Sequence, residues 1–543
     1  MRLYRYNMLQ PLPDPHNAPA RLSTYVHFHQ HRHASKADIA RTHPALLSGS
    51  CLLVACVTIF AANTLHWPLS GDAALMRYIS FLMDHGRVPY RQIDDMNLPG
   101  SYLVDYAVLH LLGSSSLVWR IFDLGLTAVA AVAMMSIARP YGWFSGLSAA
   151  ALLTLIHGQD GIFELGQRDL VVAVLVLLAY ATFFQATRKE SPRWMLAFGI
   201  SASLATTIKP IFIFFGVALL LVMVAEKTKR QQTVSSFAYY GIVGLLLPLA
   251  ATATFLSAMH ASTDFISVMT GLLPFHTGLA RKPLGFLLLH SFSPLLPLVL
   301  LWIPCLRTQW RRWGTFEGKA MLIGLTFGLV SYIAQGKGFS YHRYPFLAML
   351  LMIMSIDCYR STQESGWARP IGWVGIAFGA LILAPLCTIK ASRYDWHNNE
   401  FSEMLQSDLL RLSGGSVSGH VQCIDTIGGC FSVLYDLRAL QRDRFIYDEF
   451  LFNATENQAV LRARESFFEE LRRKPPQLLV VTDDLFPSGP NNFQKVKQWP
   501  KFASYLKANY FQCAQGRPPH TIKWWSREQQ PSTYQILCYR PGI

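Results

Sequence analysis

Apolar residues run in long blocks from about residue 46 to about residue 388, and the blocks recur at bilayer-spanning length. They predict membrane-crossing helices at about 46–67, 117–138, 144–157, 170–186, 194–208, 210–225, 237–259, 284–306, 320–335, 344–359 and 370–388, about eleven in all. Segments 194–208 and 210–225 meet at Lys209-Pro210, where the missing N–H and fixed φ of proline predict a break. Within the loop 68–116, "AALMRYISFLMDHG" and "SYLVDYAVLHLLG" place apolar residues at helical spacing, which predicts two amphipathic helices on the membrane surface. Beyond about 390 the pattern shortens. "HVQCIDTI", "QLLVVTDD" and "TYQILCYR" are strand-like and "NQAVLRARESFFEELRRK" is helix-like, so 391–543 predicts a small α/β domain. The polar, His-rich residues 1–45 lack the apolar core of a secretory signal and read as a disordered tail.

Composition agrees with a polytopic membrane bundle at 46–390. Of 543 residues, 51% are hydrophobic and only 15% are charged, too apolar for an ordinary soluble domain. The net charge of +15 suggests nucleic acid only until it is located. Residues 391–543 are nearly balanced, with 18 Lys and Arg against 16 Asp and Glu, so nearly all the excess belongs to the membrane part. Basic loops on one side of a multispanning protein explain it, and no nucleic-acid partner is expected. The basic N-terminus, Arg139, Arg188, Lys189, Lys227, Lys229, Arg307, Arg311 and Arg360 all fall on alternate loops. That pattern puts the N-terminus in the cytoplasm and, after an odd number of spans, 391–543 outside. Four of the nine cysteines, Cys423, Cys430, Cys513 and Cys538, lie in that outer part, where disulfides are permitted but no pairing follows. The chain has no GxxxxGK[ST] or GxGxxG loop and no evident internal repeat.

With this topology the outer loops form one surface. Asp72, Asp94 and Asp95 lie in the first, Asp160, Glu164 and Arg168 in "HGQDGIFELGQRD", Lys209 at the next turn, and Lys337, Tyr341, His342 and Arg343 in "QGKGFSYHRYP". Ionisable groups gathered at a bilayer edge are costly unless they bind something or one another. Plainer roles stand beside each. Asp72 suits a helix cap, Asp94-Asp95 a solvated turn, Glu164 and Arg168 a helical pair four residues apart, and the Lys337–Arg343 cluster an interfacial belt.

The stretch "GDAALMRYISFLMDHGRVPYRQIDDMNLPGSYL" resembles the first outer loop of the GT-C glycosyltransferases, polytopic enzymes that use polyprenyl-phosphate sugars. It is similar in particular to their bacterial protein mannosyltransferase-like, aminoarabinose transferase-like and galacturonosyltransferase-like branch. "TTIKPIF", "GFSYHRYP" and "PPQLLVV" extend the likeness, which covers about 46–388 by architecture, although the strong motif spans only about 35 residues. The resemblance implies inverting transfer from a polyprenyl-phosphate sugar donor, on the extracytoplasmic face of a bacterial inner membrane, to a lipid, glycan or protein acceptor. Asp72 would be the general base and Glu164 or Asp160 a second acid. Arg168, Lys209, Lys337 and Arg343 would cradle the phosphate, with Tyr341, His342, Asp94 and Asp95 adding substrate contacts. No cofactor or metal is expected, although Asp94, Asp95, Asp160 and Glu164 are the right ligand type for an oxygen site. The sequence departs from the family pattern twice: Ala73 stands where many relatives carry a second acid, and Asn97 where they often carry the lysine that meets the phosphate. A transporter or flippase, or an inactive binding subunit, are the alternative readings. Asn453-Ala454-Thr455 matches a glycosylation sequon.

Overall fold

The computed structural model describes residues 44–393, 400–489, 493–518 and 532–540. The expected tail therefore lies outside the described residues apart from its last two positions. The chain divides into two units, Met1–Gly49 and Ser50–Ile543. The first is described only from residue 44, where a helix begins. The architecture below is that of the second.

Each of the eleven apolar segments is helical. Pro44–Thr64, Ser116–Ala138, Arg168–Arg188, Ser235–Ala258, Phe316–Gln335 and the run Ala368–Ser392 are long and apolar enough to cross a membrane. Leu284–Ser291 and Leu296–Thr308, bent by 77° at their junction, make a seventh if counted together. Trp143–Asp160, Arg193–Ile208, Phe212–Lys229 and Tyr344–Ser361 complete the set. The break at Lys209-Pro210 is present, since one helix ends at Ile208 and the next starts at Phe212. A further helix, Ser262–Gly278, lies in a region read as loop. It carries Pro274 and few buried residues, so its apolar period is weak.

The bundle interior is not purely apolar. Arg120 Nη1 donates to Asp123 Oδ2 at 2.5 Å, and His157 Nε2 lies 3.0 Å from the same oxygen. Gly166 N–H donates to Asp123 Oδ1 at 3.1 Å, while Arg120 Nε reaches the Thr64 carbonyl at 3.1 Å. Arg312 and Asp357 form a second closed pair, with Trp302 Nε1 donating to the other carboxylate oxygen at 2.9 Å. A charge in a low-dielectric interior persists only when it is paired and its remaining polar atoms are bonded, as these are.

The two amphipathic segments do form helices, Gly71–Asp84 and Pro99–Leu111. They do not simply lie on a lipid surface. Every residue from Ala73 to Leu82 is buried in the protein. Tyr78 and Phe81 pack on Phe431 and Tyr435, and Arg77 stacks 3.8 Å above the Tyr435 ring. An apolar stripe reports that a face must be covered, not by what, and here the α/β part covers it. Pro99–Leu111 presses against the end of Arg193–Ile208 so closely that a Cβ on Gly100 would lie 2.7 Å from the Thr207 backbone. Only glycine fits there.

The C-terminal part contains one mixed sheet, ordered β1-β2-β4-β3, from β1 Val421–Ile424, β2 Leu478–Thr482, β3 Tyr510–Gly516 and β4 Tyr534–Tyr539. β1 is parallel to β2, with Val421 opposite Leu478, whereas β4 is antiparallel to both β2 and β3. The central strand LLVVT is buried throughout, as its unbroken apolar run requires. The expected helix runs Gln458–Arg473, capped by Asn457, whose side chain accepts from the N–H groups of Ala459 and Val460. The helices Glu400–Leu412, Cys430–Asp436, Glu449–Phe452 and Pro500–Asn509 also belong to this part. The four cysteines of this part pair as Cys423–Cys430 and Cys513–Cys538.

Candidate active site

Where helices and α/β part meet there is a cavity of about 1400 Å³. Asp72, Glu164, Arg168, Lys209, Lys337, Tyr341 and His342, from four different loops, all line it. The first of these is placed by Gly71, whose φ of +60° turns the chain out of the extended Ser70 and into the helix that carries Asp72. That conformation is cheap only for glycine. Asp72 is not the helix cap: Ser70 holds that position, and Asp72 sits in the first turn.

Asp72 Oδ2 accepts from the Tyr341 hydroxyl at 2.9 Å and lies 3.5 Å from Arg168 Nη2. Arg168 does not pair with Glu164 four residues earlier. Its second branch, Nη1, donates to Asn97 Oδ1. Asn97 Nδ2 in turn donates to Asp95 Oδ1 at 2.7 Å and to the Tyr447 hydroxyl at 3.0 Å. The position where relatives carry lysine therefore accepts a hydrogen bond from Arg168, which an ammonium cannot do. Ala73, by contrast, is buried, and a Cβ built on Gly166 would lie 3.5 Å from its methyl group.

Lys209 Nζ donates to Gln335 Oε1 at 2.6 Å and lies 3.4 Å from Asp169 Oδ2. Burial pulls its ammonium below the usual lysine range, opposed by Asp169. Lys337 Nζ contacts His276 Nε2, whose other nitrogen contacts Glu449 Oε1. Burial lowers Lys337 to about 8, with the charges of Glu449 and Asp72 opposing. His342 is held neutral: burial pulls it well below its ordinary range, and the cations Lys209, Arg168 and Lys337 add to that. Glu164 is buried in the turn Ile162–Glu164, and its Oε2 has no hydrogen-bond partner. Burial, then the nearby Asp160 charge, raises Glu164 well above the ordinary carboxylate range.

Four expected site residues do not line the cavity. Arg343 Nη2 donates to both oxygens of Asp160, each at 3.0 Å, and its Nη1 to the His290 carbonyl at 3.1 Å and to that of Ser293. Those carbonyls lie at and just before the bend between Leu284–Ser291 and Leu296–Thr308. Arg343 and Asp160 thus pin that bend to the end of Trp143–Asp160. Asp94 and Asp95 are buried beneath the α/β part rather than in a solvated turn. Burial pushes the Asp94 carboxyl up to about 6, against the pull of Arg444. Asp95 is also raised by burial, against hydrogen bonds from Tyr447 and Asn97. Among the described residues no group of three or more His, Cys, Asp or Glu is placed to hold a metal ion. Sequence reasoning passed over His276, Glu449 and Tyr447, which lie far apart in the chain and match no motif, and it noted Asn97 only as a missing lysine.

A family model described as dolichyl-phosphate-mannose-protein mannosyltransferase matches residues 99–256. Among solved structures, ArnT from Cupriavidus metallidurans bound to undecaprenyl phosphate aligns with a TM-score of 0.54 and 12% identity, covering 90% of this chain and 97% of that one. Its apo state aligns at 0.55, also with 12% identity, over the same shares. The Archaeoglobus fulgidus oligosaccharyltransferase tethered with an acceptor peptide aligns at 0.50 and 13% identity, covering 90% of this chain and 74% of that one. No curated protein matches the sequence. The chain shares its fold with these membrane-protein structures, and its long apolar helices make it an integral membrane protein.

Proposed function

We propose that the chain transfers a sugar from a polyprenyl-phosphate donor to a lipid, glycan or protein acceptor on the extracytoplasmic face, with inversion. The observation that carries this reading is the cavity itself, where one partly exposed carboxylate, Asp72, stands among Arg168, Lys209 and Lys337. The leaving group of such a reaction is a lipid phosphate, and these three cations supply the charge that would hold it. Asp72 is the general base. Both of its contacts engage Oδ2, which leaves Oδ1 to receive the acceptor's proton as the nucleophile attacks the anomeric carbon. Tyr341 and Arg168 fix the carboxylate's orientation. Glu164, held protonated by burial, is a hydrogen-bond donor for the acceptor or the sugar rather than a second base. Arg343 and Asp160 support the site without touching substrate, and Asp94 and Asp95 support Asn97 and the α/β part.

Two matched structures support the lipid side of this reading: the Cupriavidus protein is bound to undecaprenyl phosphate, and AglB from Archaeoglobus fulgidus, aligning at 0.50 and 11% identity, is in complex with a dolichol-phosphate. The family-model match favours transfer over transport. Under this reading 46–390 is the catalytic domain and 391–543 its extracytoplasmic roof, with the N-terminus in the cytoplasm. The test is Asp72→Asn in purified full-length protein given a polyprenyl-phosphate sugar. Transfer should fall by about 10²–10⁴-fold while polyprenyl-phosphate binding persists; unchanged transfer removes Asp72 as the base.

A further inference from the structure

Three elements far apart in the chain meet at one cation. Lys337 lies in the loop after Phe316–Gln335, His276 in the last turn of Ser262–Gly278, and Glu449 at the start of Glu449–Phe452 in the α/β part. Glu449 Oε1 contacts His276 Nδ1, and His276 Nε2 contacts Lys337 Nζ. The Phe486 ring, also from the α/β part, stacks against His276 at 5.7 Å and lies 4.6 Å from the Lys337 ammonium. Glu449 is only 2% exposed and Lys337 only 5%.

An ammonium has donors and no acceptor, so Lys337 can meet His276 Nε2 only if that nitrogen accepts. The ring proton then sits on Nδ1 and is donated to Glu449, and the chain reads carboxylate, neutral imidazole, ammonium. A carboxylate that orients an imidazole fixes its tautomer, and the imidazole then fixes the direction of whatever it accepts from. From this we infer that Glu449 and His276 are positioning residues: the α/β part reaches through them to hold Lys337 charged and aimed into the cavity, so donor binding requires that part to be docked. Lys337 is faced by Glu449 and Asp72, which favour its charged form, and by Lys209, Arg168 and His276, with His342 close by. Arg168 and Lys209 disfavour that form. Removing Glu449 shifts this balance toward the neutral amine.

The inference rests on the proposed function, and one titration separates the two. Undecaprenyl phosphate binding to the full chain in detergent micelles is measured from pH 6.5 to pH 10 for wild type, Glu449→Gln, His276→Phe, Lys337→Arg and Lys337→Arg with Glu449→Gln, each with a thermal unfolding curve. Wild type should bind fully below the Lys337 midpoint of about 8 and lose affinity above it as the ammonium is discharged. In Glu449→Gln the midpoint should fall. A drop of about one pH unit gives a roughly fivefold loss at pH 8 and almost none at pH 6.5. His276→Phe, which keeps Glu449 but cuts the link, should move the midpoint the same way. A guanidinium stays charged across the range, so both Lys337→Arg proteins should bind without the alkaline loss. Binding that weakens in Glu449→Gln and His276→Phe by one factor at every pH, with the wild-type midpoint, means a structural role only and overturns the inference. No binding by wild type at any pH overturns the reading of function and the inference with it.

Discussion

Two polar clusters sit inside this molecule, one closed and one open. Around Asp123, both carboxylate oxygens are bonded, to Arg120, His157 and the Gly166 N–H, and no member of the cluster lines the cavity. Around Asp72, polar atoms are left over. Glu164 Oε2, Gln167 Oε1 and His342 Nδ1 are buried without a hydrogen-bond partner, and the three cations line a cavity of about 1400 Å³. Burying an unbonded polar atom costs about 1–3 kcal/mol. A protein that closes one cluster completely and leaves the other open tolerates that cost where a ligand can repay it. The closed cluster also serves the open one, because its bond to Gly166 steadies the loop that carries Glu164 and Arg168.

Removing one partner from each cluster tests the contrast. Asp123→Ala leaves Arg120 buried and uncompensated, and should lower stability by about 3–5 kcal/mol in denaturant unfolding. Lys337→Met removes a cation whose partner is a neutral ring; unfolding should move by less than about 1 kcal/mol while polyprenyl-phosphate binding weakens by at least about tenfold. Equal destabilisation by the two would erase the distinction between a structural and a ligand-directed cluster. A smaller effect is expected at the departure from the family pattern. Asn97→Lys loses the acceptor for Arg168 and sets two cations together, so donor binding should fall by about tenfold rather than improve. Improved binding would mean that the family lysine is simply missing here.

Much of the fold was legible because membrane spans announce themselves. Each apolar block proved helical, although 284–306 is broken by a bend of 77°, the Lys209-Pro210 break appeared, and the three strand-like runs became β1, β2 and β4. β3, "YFQCAQG", was missed because it is an edge strand buried only at its two end positions, which leaves no alternating apolar face to read. The two helices of the long loop 68–116 were legible as amphipathic, but periodicity carries no information about the covering surface. For the site, loop charge and motif together gathered Asp72, Glu164, Arg168, Lys209, Lys337, Tyr341 and His342, all of which line one cavity. The same reasoning also gathered Asp160 and Arg343. Opposite charges at one membrane level look alike in sequence whether they face a ligand or neutralise each other, and only the bidentate geometry separates the cases. His276 and Glu449 were illegible for a different reason: each is an ordinary polar residue until folding brings a helix end and the α/β part to the same lysine.

The central claim is that a lipid phosphate sits beside Asp72 on the Arg168, Lys209 and Lys337 cations. A density map of the full chain with a bound polyprenyl phosphate tests it most directly. The phosphate should lie within hydrogen-bond reach of at least two of those three side chains, with Arg343 still bound to Asp160. A phosphate held by Arg343 instead, or bound outside the cavity that Asp72 lines, would contradict it.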